Sequence, residues 1–148
     1  MQVTVWRCSL IAALVWAGGL TQIRAQAADT PAQTVWSGVY SEAQAYRGEK
    51  VVDTVCLGCH GAGLEGGDSG PRLVGEHFLS AWNNKSVGDL FDFIFETMPE
   101  NAPRTMRKED IASVIAYMLK HNDLPASRQE LSAERDALAQ ITIFATKP

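Results

Sequence analysis

The sequence predicts an all-α domain built on three main helices, and two observations predict it. Three segments carry apolar residues at three- and four-residue steps with capping signals at their ends, and no stretch reads as a convincing sheet strand. The chain has 148 residues, 46% hydrophobic and 20% charged. It is long enough for one core, too apolar for a disordered chain and too interrupted for many membrane spans.

Residues 1–27 read as a secretory signal peptide: Arg7 near the start, an apolar stretch from Leu10 to Leu20, then Ala25-Gln26-Ala27 before Ala28. The stretch is about half of what a membrane-spanning helix needs, which argues for cleavage over an uncleaved anchor. Cys8 precedes the stretch, where a lipid-acceptor cysteine should follow it, so a lipoprotein is not expected. Cleavage removes Cys8, Arg7 and Arg24, leaves two cysteines and moves the formal net charge from −4 to −6. A chain this acidic is expected to bind neither nucleic acid nor anionic lipid, and suits a protein partner with a basic patch.

Residues 28–40 form an expected N-terminal arm, with Pro31 and no apolar period, though Val35, Trp36 and Tyr40 can pack. The main domain is expected over 41–122. Its first helix starts at Ser41, which has capping-box spacing to Gln44, and runs toward Cys56 with Ala45, Gly48, Val52 and Val55 on one stripe. From Gly58 to Gly75 seven glycines and one proline mark a long irregular loop, wrapped around something other than its own side chains. The second helix starts at Ser86 with Asp89, carries Val87, Leu90, Phe91, Ile94, Phe95 and Met98, and stops at Pro99. The third spans about Arg107 to Asn122, with Ile111, Val114, Ile115, Met118 and Leu119 buried. Residues 123–148 are expected as a C-terminal extension packing on the domain, with Ser132 capping a short helix. Three helices and a glycine-rich loop make a small core for this length, a deficit that a bound cofactor would fill.

Cys56-Leu57-Gly58-Cys59-His60 supplies that cofactor. Two thiols three residues apart at a helix end can add to the two vinyl groups of one porphyrin, and the adjacent histidine then lies under the iron. Three other readings of the pair are weaker. A thioredoxin-like dithiol belongs at a strand-to-helix junction, a zinc site needs four ligands without a second paired motif in view, and a disulfide across two residues of helix is strained. One covalent haem c is therefore expected, with His60 as one iron ligand. For the sixth position Met98 is preferred, because it ends an apolar stripe beside Pro99 and can project from the helix terminus. Met106 in the following loop remains open, His77 would give a bis-histidine haem, Met118 reads as packing, and His121 suits the negative end of the third helix.

With the motif placed, the chain from about Val35 onward resembles the small class I cytochromes c. Gly70-Pro71-Arg72-Leu73-Val74-Gly75 is similar to that family's segment whose proline carbonyl accepts from the axial histidine. The resemblance thus implies that Pro71 orients His60 and that Leu73 belongs to the haem site. It also implies that Gly48 meets Tyr117 where the first and last helices cross. The stretch Trp82 to Met98 and the tail resemble cytochrome subunits that accept electrons from periplasmic quinone-cofactor alcohol dehydrogenases, which implies Met98 as iron ligand and Trp82 on the propionate side. Arg104-Thr105-Met106-Arg107 departs from that subgroup.

The expected function is that of a periplasmic monohaem carrier, not an enzyme. It would pass single electrons from a partner dehydrogenase toward an oxidase or another cytochrome, without stable membrane insertion. Two alternatives stand beside it. One is a haem enzyme or gas sensor with an open sixth position, which a polar residue such as Arg104 or His77 over the iron would favour; the other is a haem-free thiol oxidoreductase.

Overall fold

A computed structural model describes residues 33–148; the expected signal peptide, Cys8 and the start of the arm lie outside these residues. The described chain is helical: α1 (Glu42–Val55), α2 (Leu57–His60), α3 (Gly75–Trp82), α4 (Val87–Thr97), α5 (Lys108–His121) and α6 (Arg135–Leu138). Among the described residues no helix is long and apolar enough to cross a membrane.

The largest packing surface lies between α1 and α5. Ser41 caps α1 by accepting from the Gln44 N–H at 3.1 Å, and Ala45, Gly48 and Val52 face inward. The expected capping box is only half made. Gln44 is buried, and its side chain instead donates to the Leu131 carbonyl at 2.8 Å and accepts from the Leu131 N–H at 2.7 Å. Val55 departs from the expected stripe too: at the last residue of α1 it is 40% exposed and faces a cavity. Helix α5 is buried continuously from Ile111 to Leu119, so its buried surface extends to Ala112, Ser113, Ala116 and Tyr117. It is the central element, and a helix packed on several sides loses the one-sided pattern of a surface helix.

Helix α4 begins with a complete capping box between Ser86 and Asp89, with bonds of 2.9 and 3.0 Å. The hydrogen bonds from Ser86, with Arg135 and Lys85 nearby, hold the Asp89 carboxyl below its ordinary value. Helix α3 was not expected. The glycine-rich stretch ends at Gly75, and the four-residue spacing of Phe78 and Trp82 folds as a helix that buries Phe78. The remainder of the 58–75 loop is irregular as expected, apart from α2 at its start.

A two-residue parallel pair, β1 (Gln33–Thr34) and β2 (Ile141–Thr142), corrects the expectation of no sheet. It arises because the C-terminal segment returns beside the arm. Tyr40 donates its hydroxyl to the Leu124 carbonyl at 2.7 Å, the Ser127 N–H donates to Tyr40 at 2.7 Å, and the Trp36 indole donates to Phe144 at 2.9 Å. The short terminal helix starts after Glu134, not at Ser132, whose hydroxyl accepts from the Glu134 N–H in a turn of its own. Leu131, Leu138, Ile141 and Ile143 from this segment are buried in the same core as α4 and α5.

Candidate haem site

Helix α1 hands directly over to α2 at Cys56, which is at once the last cap of one and the first of the other. That junction puts Cys56, Cys59 and His60 within one turn, with the His60 N–H donating to the Cys56 carbonyl at 3.0 Å. All three side chains line a cavity of about 480 Å³. The volume lies within the range of about 300–1,000 Å³ usual for cofactor sites.

His60 is 8% exposed and its Nδ1 lies 2.7 Å from the Pro71 carbonyl oxygen. A carbonyl only accepts, so Nδ1 carries the proton and Nε2 is left with its lone pair for a metal. Gly70 makes this approach possible. A Cβ there would lie 2.9 Å from the Cys59 carbonyl oxygen and 3.1 Å from His60 Nδ1, too close for backbone that cannot yield.

The rest of the lining comes from α3, α4, the segment after α4, and α5. Trp82 and Phe93 meet edge to face with ring centroids 5.6 Å apart, and Lys85 places its ammonium 4.7 Å from the Trp82 ring centre. Met98, at the C-terminal cap of α4, and Met106 both line the cavity, as do Leu73 and Met118. The structure therefore gathers Cys56, Cys59, His60, Pro71, Leu73, Trp82 and Met98 around one space, and it leaves two further thioethers within that wall. Phe78 and Phe93 also line it without having been singled out from the sequence. The signal for Phe78 was the position of α3, which the glycine content upstream concealed; Phe93 lies on α4, outside its apolar stripe.

His77 points elsewhere: it is exposed and sits with Glu76, Ser80 and Ala81 at a separate shallow depression. Arg104 is exposed, outside the cavity wall, and ion-paired with Glu96. His121 packs against Tyr117 with ring centres 4.2 Å apart and planes tilted by 49°, in the last turn of α5.

The residues fit a haem. Two free thiols at the right spacing, one imidazole with Nε2 available, thioethers in the same cavity and otherwise mainly apolar walls match the donor chemistry of a covalently attached porphyrin. They fit the other readings of the pair poorly. Among the described residues no three His, Cys, Asp or Glu side chains are grouped to hold a metal ion. Burial, reinforced by Cys59, pushes the Cys56 thiol up to about 11, whereas a reactive dithiol needs a thiol shifted downward.

A family model described as "Cytochrome C oxidase, cbb3-type, subunit III" matches residues 43–118, just over half of the chain. Among solved structures, the chain is similar to a chain of the sulfane dehydrogenase SoxCD from Paracoccus pantotrophus, at 21% identity and a TM-score of 0.48. That match covers 79% of this chain and 62% of the other, so this chain spans less than two thirds of its length. No curated protein matches.

Proposed function

The chain belongs to the c-type cytochromes described by the cbb3-type oxidase subunit III family and has the class I cytochrome c fold, and we propose that within that family it is a monohaem electron carrier of the periplasm. The observation that carries this reading is the His60–Pro71 hydrogen bond at the wall of a cavity that also holds Cys56, Cys59 and Met98. A haem held there supplies a one-electron iron couple. Cys56 and Cys59 would supply the two thioether links, His60, held in one tautomer by Pro71, would supply an imidazole nitrogen, and Met98 would supply a sulfur from the same cavity wall. His60 and Met98 would together hold such an iron with little to rearrange on electron transfer and would leave no open position for small molecules.

The residues that an open-site haem enzyme or sensor would use are turned away. His77 faces outward and Arg104 is occupied by Glu96, which supports the carrier reading over catalysis. The single Cys-x-x-Cys-His motif supports one haem. Export through a cleaved signal peptide is proposed from residues 1–27, and service to a periplasmic dehydrogenase and a downstream oxidase or cytochrome is proposed from the sequence resemblance together with the acidic charge.

The test is the optical spectrum of the mature protein, oxidised and dithionite-reduced, extended to the weak near-infrared band of iron–thioether coordination. The expected result is a low-spin c-type spectrum whose near-infrared band disappears in Met98→Ala and survives in Met106→Ala. A high-spin spectrum that shifts under carbon monoxide would overturn the carrier reading in favour of an open site.

A further inference from the structure

We infer that Asn122 is a positioning residue for the axial histidine, acting through the Leu73–Gly75 segment on the Pro71 carbonyl. The inference rests on the reading of His60 as iron ligand.

Asn122 is the C-terminal cap of α5 and is 6% exposed. Its Oδ1 accepts from the Gly75 N–H at 2.8 Å, while Nδ2 donates to the Leu73 carbonyl at 3.1 Å and to the Met118 carbonyl at 2.8 Å. The orientation of the amide is set by these partners, because reversing it would oppose N–H to N–H and carbonyl to carbonyl. Capping α5 needs only the bond to Met118. The other two reach across 47 and 49 residues of sequence to the loop that carries Pro71.

Pro71 has no N–H of its own, so the place of its carbonyl is fixed by what holds its neighbours. On one side Gly70 is pressed against Cys59 and His60. On the other, Leu73 is held twice: its N–H donates to the Leu64 carbonyl at 2.8 Å and its carbonyl accepts from Asn122. Removing the Asn122 amide leaves the part-buried Leu73 carbonyl and the Gly75 N–H without these partners, and the segment, no longer tied to α5, is free to shift. A shift two residues from Pro71 loosens the Nδ1–H···O bond to His60. That bond gives the imidazole part of its donor strength, and a weaker donor stabilises ferric iron less. The reduction potential therefore rises.

The experiment compares wild type, Asn122→Leu, Asn122→Ser and Tyr40→Phe as haem-loaded proteins. Three quantities are read: the reduction potential, the deuterium exchange of the His60 Nδ1 proton by NMR, and stability in urea. Tyr40 bonds to Leu124, close to Asn122 in sequence, and makes no hydrogen bond to Leu73 or Gly75. The expected result is a raised potential and roughly tenfold faster Nδ1–H exchange in the Asn122 variants, with Tyr40→Phe losing stability alone. Asn122→Ser supplies the comparison if Asn122→Leu does not fold. Asn122 variants that lose stability with an unchanged potential and exchange rate overturn the inference and leave Asn122 as a helix cap. A wild-type spectrum without histidine-ligated low-spin haem is read before any variant, and it removes the ligand assignment itself.

Discussion

Gly48 and Gly70 are two positions where a missing Cβ decides the geometry. At Gly48 a Cβ would lie 1.9 Å from the Ser113 carbonyl oxygen and 3.0 Å from the Tyr117 Cβ, so α1 and α5 cross at a distance only glycine permits. Gly48→Ala is expected to destabilise the protein by about 2–3 kcal/mol, since backbone must move to relieve the contact. Urea unfolding followed by far-UV circular dichroism checks this, and an unchanged midpoint would show that the crossing is not close-packed. At this scale motif and resemblance named Cys56, Cys59, His60, Pro71 and Met98, and the structure brings all five to one cavity, because attaching a porphyrin would demand particular residue types at particular spacings. Asn122 was not legible, because a helix-ending asparagine has the same local signature whether or not its amide reaches a distant loop.

At the scale of elements, α4 and α5 were predictable from their periods, whereas α3 and the arm-to-tail pairing were not. Helix α3 is short, follows a run of glycines and has no side chain capping its start. The pairing of β1 with β2 joins segments more than a hundred residues apart, and two residues per strand are too few to show any alternation. Tyr40 fastens this returning segment. Its hydroxyl is 2.7 Å from the Leu124 carbonyl, and burial, then the charges of Glu42 and Asp123, push its ionisation up to about 12 from an ordinary 10. A raised folded value means that the fold favours the protonated phenol, so its stability is fully present below pH 10 and is lost as pH rises from 10 to 12. Tyr40→Phe is therefore expected to cost about 1 kcal/mol at pH 8. It should also flatten the fall in stability between pH 10 and 12, measured by urea unfolding at pH 8 and pH 11.

At the scale of the whole molecule, the cavity of about 480 Å³ lies between α5 and the wall formed by α3 and α4, so filling it completes the core. Cys56→Ala/Cys59→Ala protein, made without covalent haem, is expected to keep helical far-UV signal while losing fixed near-UV tertiary signal and binding a hydrophobic dye. A near-UV spectrum as sharp as that of the loaded protein would show that the fold is complete without the group. The sequence alone determined the all-α class, the haem-attachment turn, the three long helices and the residue types that can hold iron. Each of these is encoded locally, in caps, periods and a five-residue motif. Only the tertiary structure decided that His77 and Arg104 face away from the cavity, that Gln44 serves the C-terminal segment instead of its own helix, and that Asn122 ties α5 to the loop bearing Pro71. Those outcomes depend on which distant backbone groups arrive beside a side chain, and local sequence carries no record of that arrival.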